Sequence, residues 1–203
     1  MELTKTKLKQ IIKESLEDEY EEKLLMLFKS DNHQYAIELS KQVGMEDFLV
    51  GADLSKANLI GADLEGANLI NANLIGAYLQ DANLEGANLR GANLRGANLY
   101  EAILEEANLI NANLINANLR YAVLYNADLE GADLEGAYLS KANLKGANLK
   151  GANLKGAYLY GVNLEGANLK GANLYGANLY GAILYGVDLR DADLRDADLA
   201  FAI

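Results

Sequence analysis

From Gly51 onward the chain runs in an unbroken five-residue frame that reads G-A-D-L-S, K-A-N-L-I, G-A-D-L-E and so on. Leucine recurs at every fifth position from Leu54 to Leu199, thirty times without exception. Two residues before each leucine lies alanine, with Val162 and Val187 as the two exceptions. Between the two sits a small polar residue, mostly Asn or Asp, and the residue after the leucine is free. Five is neither the 3.6 period of a helix nor the simple alternation of a strand. Within each unit, however, Ala and Leu are two apart, and in extended chain that puts them on one face. Each unit is therefore a short extended segment with one apolar face, followed by a bend. All 18 Gly of this region occupy the position two after leucine. Seven more of those positions hold Asn or Asp: Asn71, Asp81, Asn111, Asn116, Asn126, Asp191 and Asp196. These residue types tolerate the left-handed geometry a corner needs. Leu54, Leu74, Leu94, Leu114, Leu134, Leu154, Leu174 and Leu194, twenty apart, head the expected core.

Twenty-residue spacings suggest four units per turn. Glu65, Glu85 and Glu105 are twenty apart, as are Lys150, Lys170 and Arg190, and so are Tyr138 and Tyr158, Tyr160 and Tyr180, and Ile103 and Val123. Duplication of a 20-residue block gives the same spacing. The motif A-(D/N)-L-x-x resembles that of the pentapeptide-repeat proteins, over about three quarters of the chain. The resemblance implies an all-β solenoid: a right-handed quadrilateral parallel β-helix of about seven and a half coils, with leucine central on each side and alanine filling the inner corners. At ~4.8 Å between stacked strands the rod is expected to be roughly 36 Å long.

Residues 1–48 lack the frame and are expected to form a small helical N-terminal cap, with the β-helix over 49–203. Leu8, Ile11, Ile12, Leu16, Tyr20, Leu24 and Leu27 or Phe28 recur at helical steps, with a possible break near Leu16–Asp18. Asp31 is a candidate cap for a further helix with Tyr35, Ala36, Leu39 and Val43 on one face and Gly44 as its stop. Such a unit covers the open first coil or serves as an interaction domain. At the other end Asp188, Asp191, Asp193, Asp196 and Asp198 crowd together with Arg190 and Arg195. Three readings apply to that end: charges that discourage edge association, end-to-end dimerisation, or truncation.

The net charge is −11, with 18 basic and 29 acidic side chains, which argues against direct nucleic-acid binding. With no Cys there is no disulfide, thiol nucleophile or thiolate metal site. The single His, His33, lies in the helical segment and is expected to have a surface or capping role. No catalytic set, P-loop or dinucleotide motif occurs, so no enzyme activity, metal or cofactor is expected. No signal peptide or membrane span is apparent, and cytoplasmic residence is the default.

Function, if legible, lies on the surface. With four units per coil, Tyr78, Tyr100, Tyr138, Tyr158, Tyr160 and Tyr180 share one side, with Tyr121 at its corner. That strip suits either a protein partner or plain exposed sheet. The next side holds an acidic ridge of Asp63, Glu65, Glu85 and Glu105, with Glu106 at its corner; Asp81 and Glu101 sit at the corner shared with the tyrosines. The side after that carries Arg90, Lys150, Lys170 and Arg190. The expected function is a non-catalytic protein-binding or scaffolding module for an unknown protein partner, as a monomer or end-to-end dimer. The resemblance implies an alternative, a DNA mimic that binds a topoisomerase such as gyrase. A self-assembling structural rod is the third reading.

Overall fold

The computed structural model describes residues 19–29, 33–43 and 47–203. Two compact units divide the chain, Met1–Phe48 and Leu49–Ile203.

In the first unit, residues 19–29 form helix α1 and His33–Val43 form helix α2. Leu24 and Phe28, one turn apart on α1, are fully buried, as is Ala36 of α2. Phe28 meets Phe48 edge to face at 5.9 Å and His33 at 5.5 Å. His33 Nδ1 lies 2.9 Å from the Phe28 carbonyl. A carbonyl only accepts, so Nδ1 carries the proton, and His33 satisfies one of the four carbonyls that a helix end leaves open. The lone histidine is thus a capping residue. Tyr35 departs from its expected place on the buried face and is 60% exposed. The inward ridge of α2 runs through Ala36 and Ser40, four apart. Ser40 is buried because its hydroxyl donates to the Ile37 carbonyl at 2.7 Å. Leu8, Ile11, Ile12, Leu16, the 16–18 break, Asp31 and Gly44 lie outside the described residues.

The second unit is a right-handed quadrilateral β-helix. Each polar residue before a leucine pairs in parallel with the residue twenty positions on, from Asp53 with Asn73 to Asn178 with Asp198. Four repeats therefore make one coil. The first side carries Leu54, the second Leu59, the third Leu64 and the fourth Leu69, each repeating every twenty residues.

The repeat at 71–75 shows why five residues suffice. Ala72 donates to the Leu69 carbonyl at 3.1 Å, closing a turn around the corner. Asn73 donates to Ala52 of the coil before at 2.9 Å. Leu74 donates to Asn93 at 2.8 Å and Asn71 to Arg90 at 3.0 Å, both of the coil after. The fifth N–H, of Ile75, is taken at 3.3 Å by the Asn73 side-chain oxygen. Every backbone donor of the repeat is satisfied, which a chain with so much exposed backbone requires. Asn therefore has two tasks. Its oxygen closes an Asx turn, and its amide donates to the coil before, as from Asn118 to Asn98 at 2.8 Å and from Asn173 to Asn153 at 3.2 Å.

Every corner residue from Gly51 to Phe201 has φ between 54 and 71°. Positive φ at the third residue of a turn, with negative φ at the second, is the type II pattern. Six corners are neither Gly, Asn nor Asp: Lys56, Glu101, Glu106, Tyr121, Lys141 and Phe201. Each holds a strained backbone costing about 1–2 kcal/mol, kept in place by the ladders on both sides of it.

The 26 leucines from Leu54 to Leu179 are at most 1% exposed. The last four are not: Leu184, Leu189 and Leu194 are half-buried and Leu199 is 40% exposed. Leu194, expected in the core, thus rims the last coil, because a leucine here is sealed only by the coil stacked above it.

Candidate functional site

On the outside of each side two positions face outward, the polar residue before leucine and the free residue after it. Where the first is Asn or Asp, the Asx ladder occupies it. Six repeats break that ladder, with Tyr78, Tyr138 and Tyr158 on the second side and Ile103, Val123 and Ile183 on the third. The first and fourth sides are unbroken. These breaks are visible in the sequence once the ladder's role is known, and they mark the second side as aromatic.

The tyrosines of that side meet ring to ring. Tyr138 and Tyr158 stack at 4.9 Å with planes 4° apart. Tyr160 and Tyr180 stack at 5.6 Å. Tyr100 meets Tyr121 edge-on at 5.5 Å. Phe201, absent from the sequence-derived strip, extends the run by packing on Tyr180 at 5.1 Å. Its signal was there: Phe201 follows Tyr180 by 21 residues, as Tyr121 follows Tyr100. The strip is nonetheless open, with Tyr78, Tyr121, Tyr138, Tyr158 and Tyr160 exposed. Two cations border it. Lys141 Nζ sits 5.5 Å from the Tyr121 ring centre, a cation–π contact, and Arg120 Nε donates to the Asn118 side chain at 3.0 Å. The Tyr100 hydroxyl is raised above its ordinary pKa by a hydrogen bond to Glu101, with some desolvation. Tyr78 belongs to the same side but makes no ring contact with the others.

On the third side Glu65, Glu85 and Glu105 stand in one column, with Glu106 and the shared corner of Asp81 and Glu101 beside them. None of these carboxylates is in an ion pair among the described residues. Asp63 serves the ladder instead, accepting from Glu65 N at 3.3 Å and from the Asn83 amide at 3.1 Å. Later coils pair their charges across one rung, Lys145 with Glu165, Lys150 with Glu130 and Lys155 with Glu135. The basic column on the fourth side is thereby partly neutralised.

Two of the aspartates near that end, Asp188 and Asp193, are also paired internally. Arg190 clamps Asp188 at 2.6 Å and Arg195 clamps Asp193 at 2.7 Å. In both cases the arginine's side-chain hydrogen bonds, then its backbone N–H, hold the carboxyl down at about 2. A folded pKa below the unfolded one contributes stability above the unfolded value, and that contribution is lost as pH falls through the folded value. The expected window runs from about 3.8 down to about 2. Carboxyl-carbon NMR titration checks this: Asp188 and Asp193 should stay ionised to near pH 2, and Arg190→Gln should return Asp188 alone toward 3.8. A midpoint for Asp188 that ignores the Arg190 substitution contradicts the clamp.

No described group of His, Cys, Asp and Glu could hold a metal ion, and no described helix is long and apolar enough to cross a membrane.

The sequence model described as pentapeptide repeats matches in eight copies, over residues 49–86, 77–114, 104–136, 137–174 and 172–203. None of the curated proteins compared with the chain matches it. Among solved structures, the chain is similar to HetL, a pentapeptide repeat protein involved in heterocyst differentiation regulation from the cyanobacterium Nostoc sp. strain PCC 7120. The identity is 44% and the TM-score 0.69, over 76% of this chain and 73% of HetL. It is also similar to QnrB1, a plasmid-mediated fluoroquinolone resistance protein, at 22% identity and TM-score 0.61, over 78% of this chain and 86% of that one. The QnrB1 likeness is one of fold. Rfr23, a pentapeptide repeat protein from the cyanobacterium Cyanothece 51142, is 50% identical over 42% of this chain and 58% of its own, with TM-score 0.42.

Proposed function

The chain belongs to the pentapeptide-repeat family, and from that premise we propose that it is a protein-binding or scaffolding module that receives its partner on the second side of the coil stack. Pentapeptide-repeat proteins are binding and structural proteins, not enzymes, and the chain shares that character. The observation that carries the proposal is the run of contacting aromatic rings along one side, exposed where the other sides carry Asx ladders or charge pairs. Large rigid rings with a polar tip favour protein contact, and stacking fixes them before any partner arrives, which lowers the entropy lost on binding. The neighbour HetL has a regulatory role, which suits a chain that acts by contact.

The test is capture of cellular partners by the tagged wild type and by the triple variant Tyr138→Ser, Tyr158→Ser, Tyr160→Ser. The three rings face outward, so the variant should fold, with a loss of about 0.5–1.5 kcal/mol for each broken stack. Partners are expected to be lost. A triple variant that keeps them all removes the second side from the function.

A second reading is supported by the carboxylates of the third side and its two corners, none of them in an ion pair among the described residues. Asp63, Glu65, Asp81, Glu85, Glu101, Glu105 and Glu106 fall within about three coils, roughly 14 Å at the rise of stacked strands. That is about one charge per 2 Å, close to the ~1.7 Å of duplex DNA. In this reading the ridge imitates DNA toward a topoisomerase such as gyrase. A supercoiling assay should then show inhibition or quinolone protection that Glu65→Gln, Glu85→Gln, Glu105→Gln abolishes. No effect at micromolar protein eliminates it.

A further inference from the structure

We propose that the second side binds a second copy of this chain, with the two coil stacks antiparallel and a two-fold axis running along the strand direction at the coil of residues 118–121. This names a partner for the side described above and rests on that reading. Rotation about such an axis keeps each residue column facing itself and reverses the order of the coils. Residues equally far above and below the axis therefore meet.

Three observations select this arrangement. The first is charge. Along the corner between the second and third sides stand Asp81, Glu101, Tyr121, Lys141 and Gly161, one per coil. Glu101 lies one coil before Tyr121 and Lys141 one coil after it. The two-fold sets Glu101 of each copy against Lys141 of the other, and Tyr121 against itself. Asp81, Glu101, Arg120 and Lys141 sum to zero, so each surface is neutral and complementary to its own image. Arg120 meets its mate on the axis, flanked by the two Glu101 carboxylates.

The second is the placement of the rings. Gln80 lies two coils before Arg120 in its column and Tyr160 two coils after, so the same axis lays the Tyr160 ring of one copy over the Gln80 side chain of the other. It also sets Tyr78, the strip's isolated ring, against the partner's Tyr158, and Ile60 against Tyr180.

The third is strain. Of the six corners that are neither Gly, Asn nor Asp, four lie on this one edge, and three of them, Glu101, Tyr121 and Lys141, lie within one coil of the axis. Strained backbone persists where the side chain is needed. Glycine would relieve it and fills most other corners, so these side chains are the part of the edge that is used.

The side is only one strand segment wide, which places the dimer at the small end of protein interfaces and makes it concentration-dependent. Light scattering on the purified chain, over rising concentration, is expected to show a shift from monomer to dimer mass. Glu101→Lys alone and Lys141→Glu alone should each hold the chain at monomer mass, since like charges then meet twice. The double variant Glu101→Lys, Lys141→Glu should restore the dimer. Both positions are exposed, and circular dichroism confirms that the variants fold. Monomer mass for the wild type up to about 1 mM protein, or no rescue by the double variant, overturns the proposal. The two readings fail separately. A monomeric wild type whose cellular partners are still lost in the tyrosine triple variant overturns the dimer alone. A triple variant that keeps both the dimer and the captured partners overturns both.

Discussion

Leu114→Ala is expected to lower the stability of the coil stack by about 2–5 kcal/mol, while the same change at Leu199 should cost ~1 kcal/mol or less. Chemically the two changes are identical. The difference lies in what surrounds the side chain. Leu114 is fully buried on the first side between the Leu94 and Leu134 coils, and the ladder bonds of Asn113 to Ala92 and of Leu114 to Asp133 hold those coils in place. The cavity left there cannot collapse without breaking both ladders. Leu199 is 40% exposed, so its truncation removes little buried surface. Urea unfolding gives the two values. Because each coil touches only its neighbours, hydrogen exchange in Leu114→Ala should quicken first in the coils on either side and last at the far ends. Equal losses for the two variants, or uniform quickening along the stack, are incompatible with a core built rung by rung.

That dependence on neighbours also explains what the sequence could and could not reveal. The inward direction of Ala and Leu, the corner position and the four-unit turn all follow from spacing, because the ladder forces every repeat into one geometry. Spacing also placed the seven tyrosines on one side. The half-buried state of Leu184, Leu189 and Leu194 did not follow, since all thirty leucines read alike and burial depends on the coil above. Nor did the left-handed backbone at Glu101, Tyr121 and Lys141. Residue preference argues against that geometry, and the ladder imposes it. Tyr35 went astray for a different reason. A short helix with mixed residues allows several apolar stripes, and Ser40, polar yet buried through its own turn, drew the true stripe away from the one hydrophobicity suggests. Phe201 and Lys141 were within reach of the sequence, since a step of 21 residues carries a free position to the corner of the next coil. The Asx turn, in which Asn accepts the N–H two residues on, needed coordinates. With it in hand the six ladder breaks become readable, and they fall on the second and third sides only.

A deletion of one repeat should separate fold from surface. Removing residues 111–115 leaves the five-residue frame, every leucine of the remaining repeats and every tyrosine intact. Since the four sides are equivalent inside, the stack should close up and lose about 0.25–0.75 kcal/mol, the share of five residues in an ordinary domain. Outside, everything after the deletion turns by one side. Tyr78 and Tyr100 stay on the second side while Tyr138, Tyr158, Tyr160 and Tyr180 move to the first. The strip is cut in two without changing one of its residues. Removing residues 101–120 takes out a whole coil and costs more stability, about 1–3 kcal/mol, yet keeps every tyrosine of the strip on the second side. The expected result is therefore inverted with respect to stability. The smaller deletion abolishes partner capture and the larger one keeps most of it, as read by the same capture experiment with urea unfolding on both proteins. Equal capture by the two deletions means that the alignment of the rings is irrelevant, and failure of the five-residue deletion to fold means that the four sides are not interchangeable inside. Point substitutions confound ring loss with ring position. The five-residue deletion keeps every ring and changes only the side on which the later ones lie, which makes the geometry of the coil itself the quantity under test.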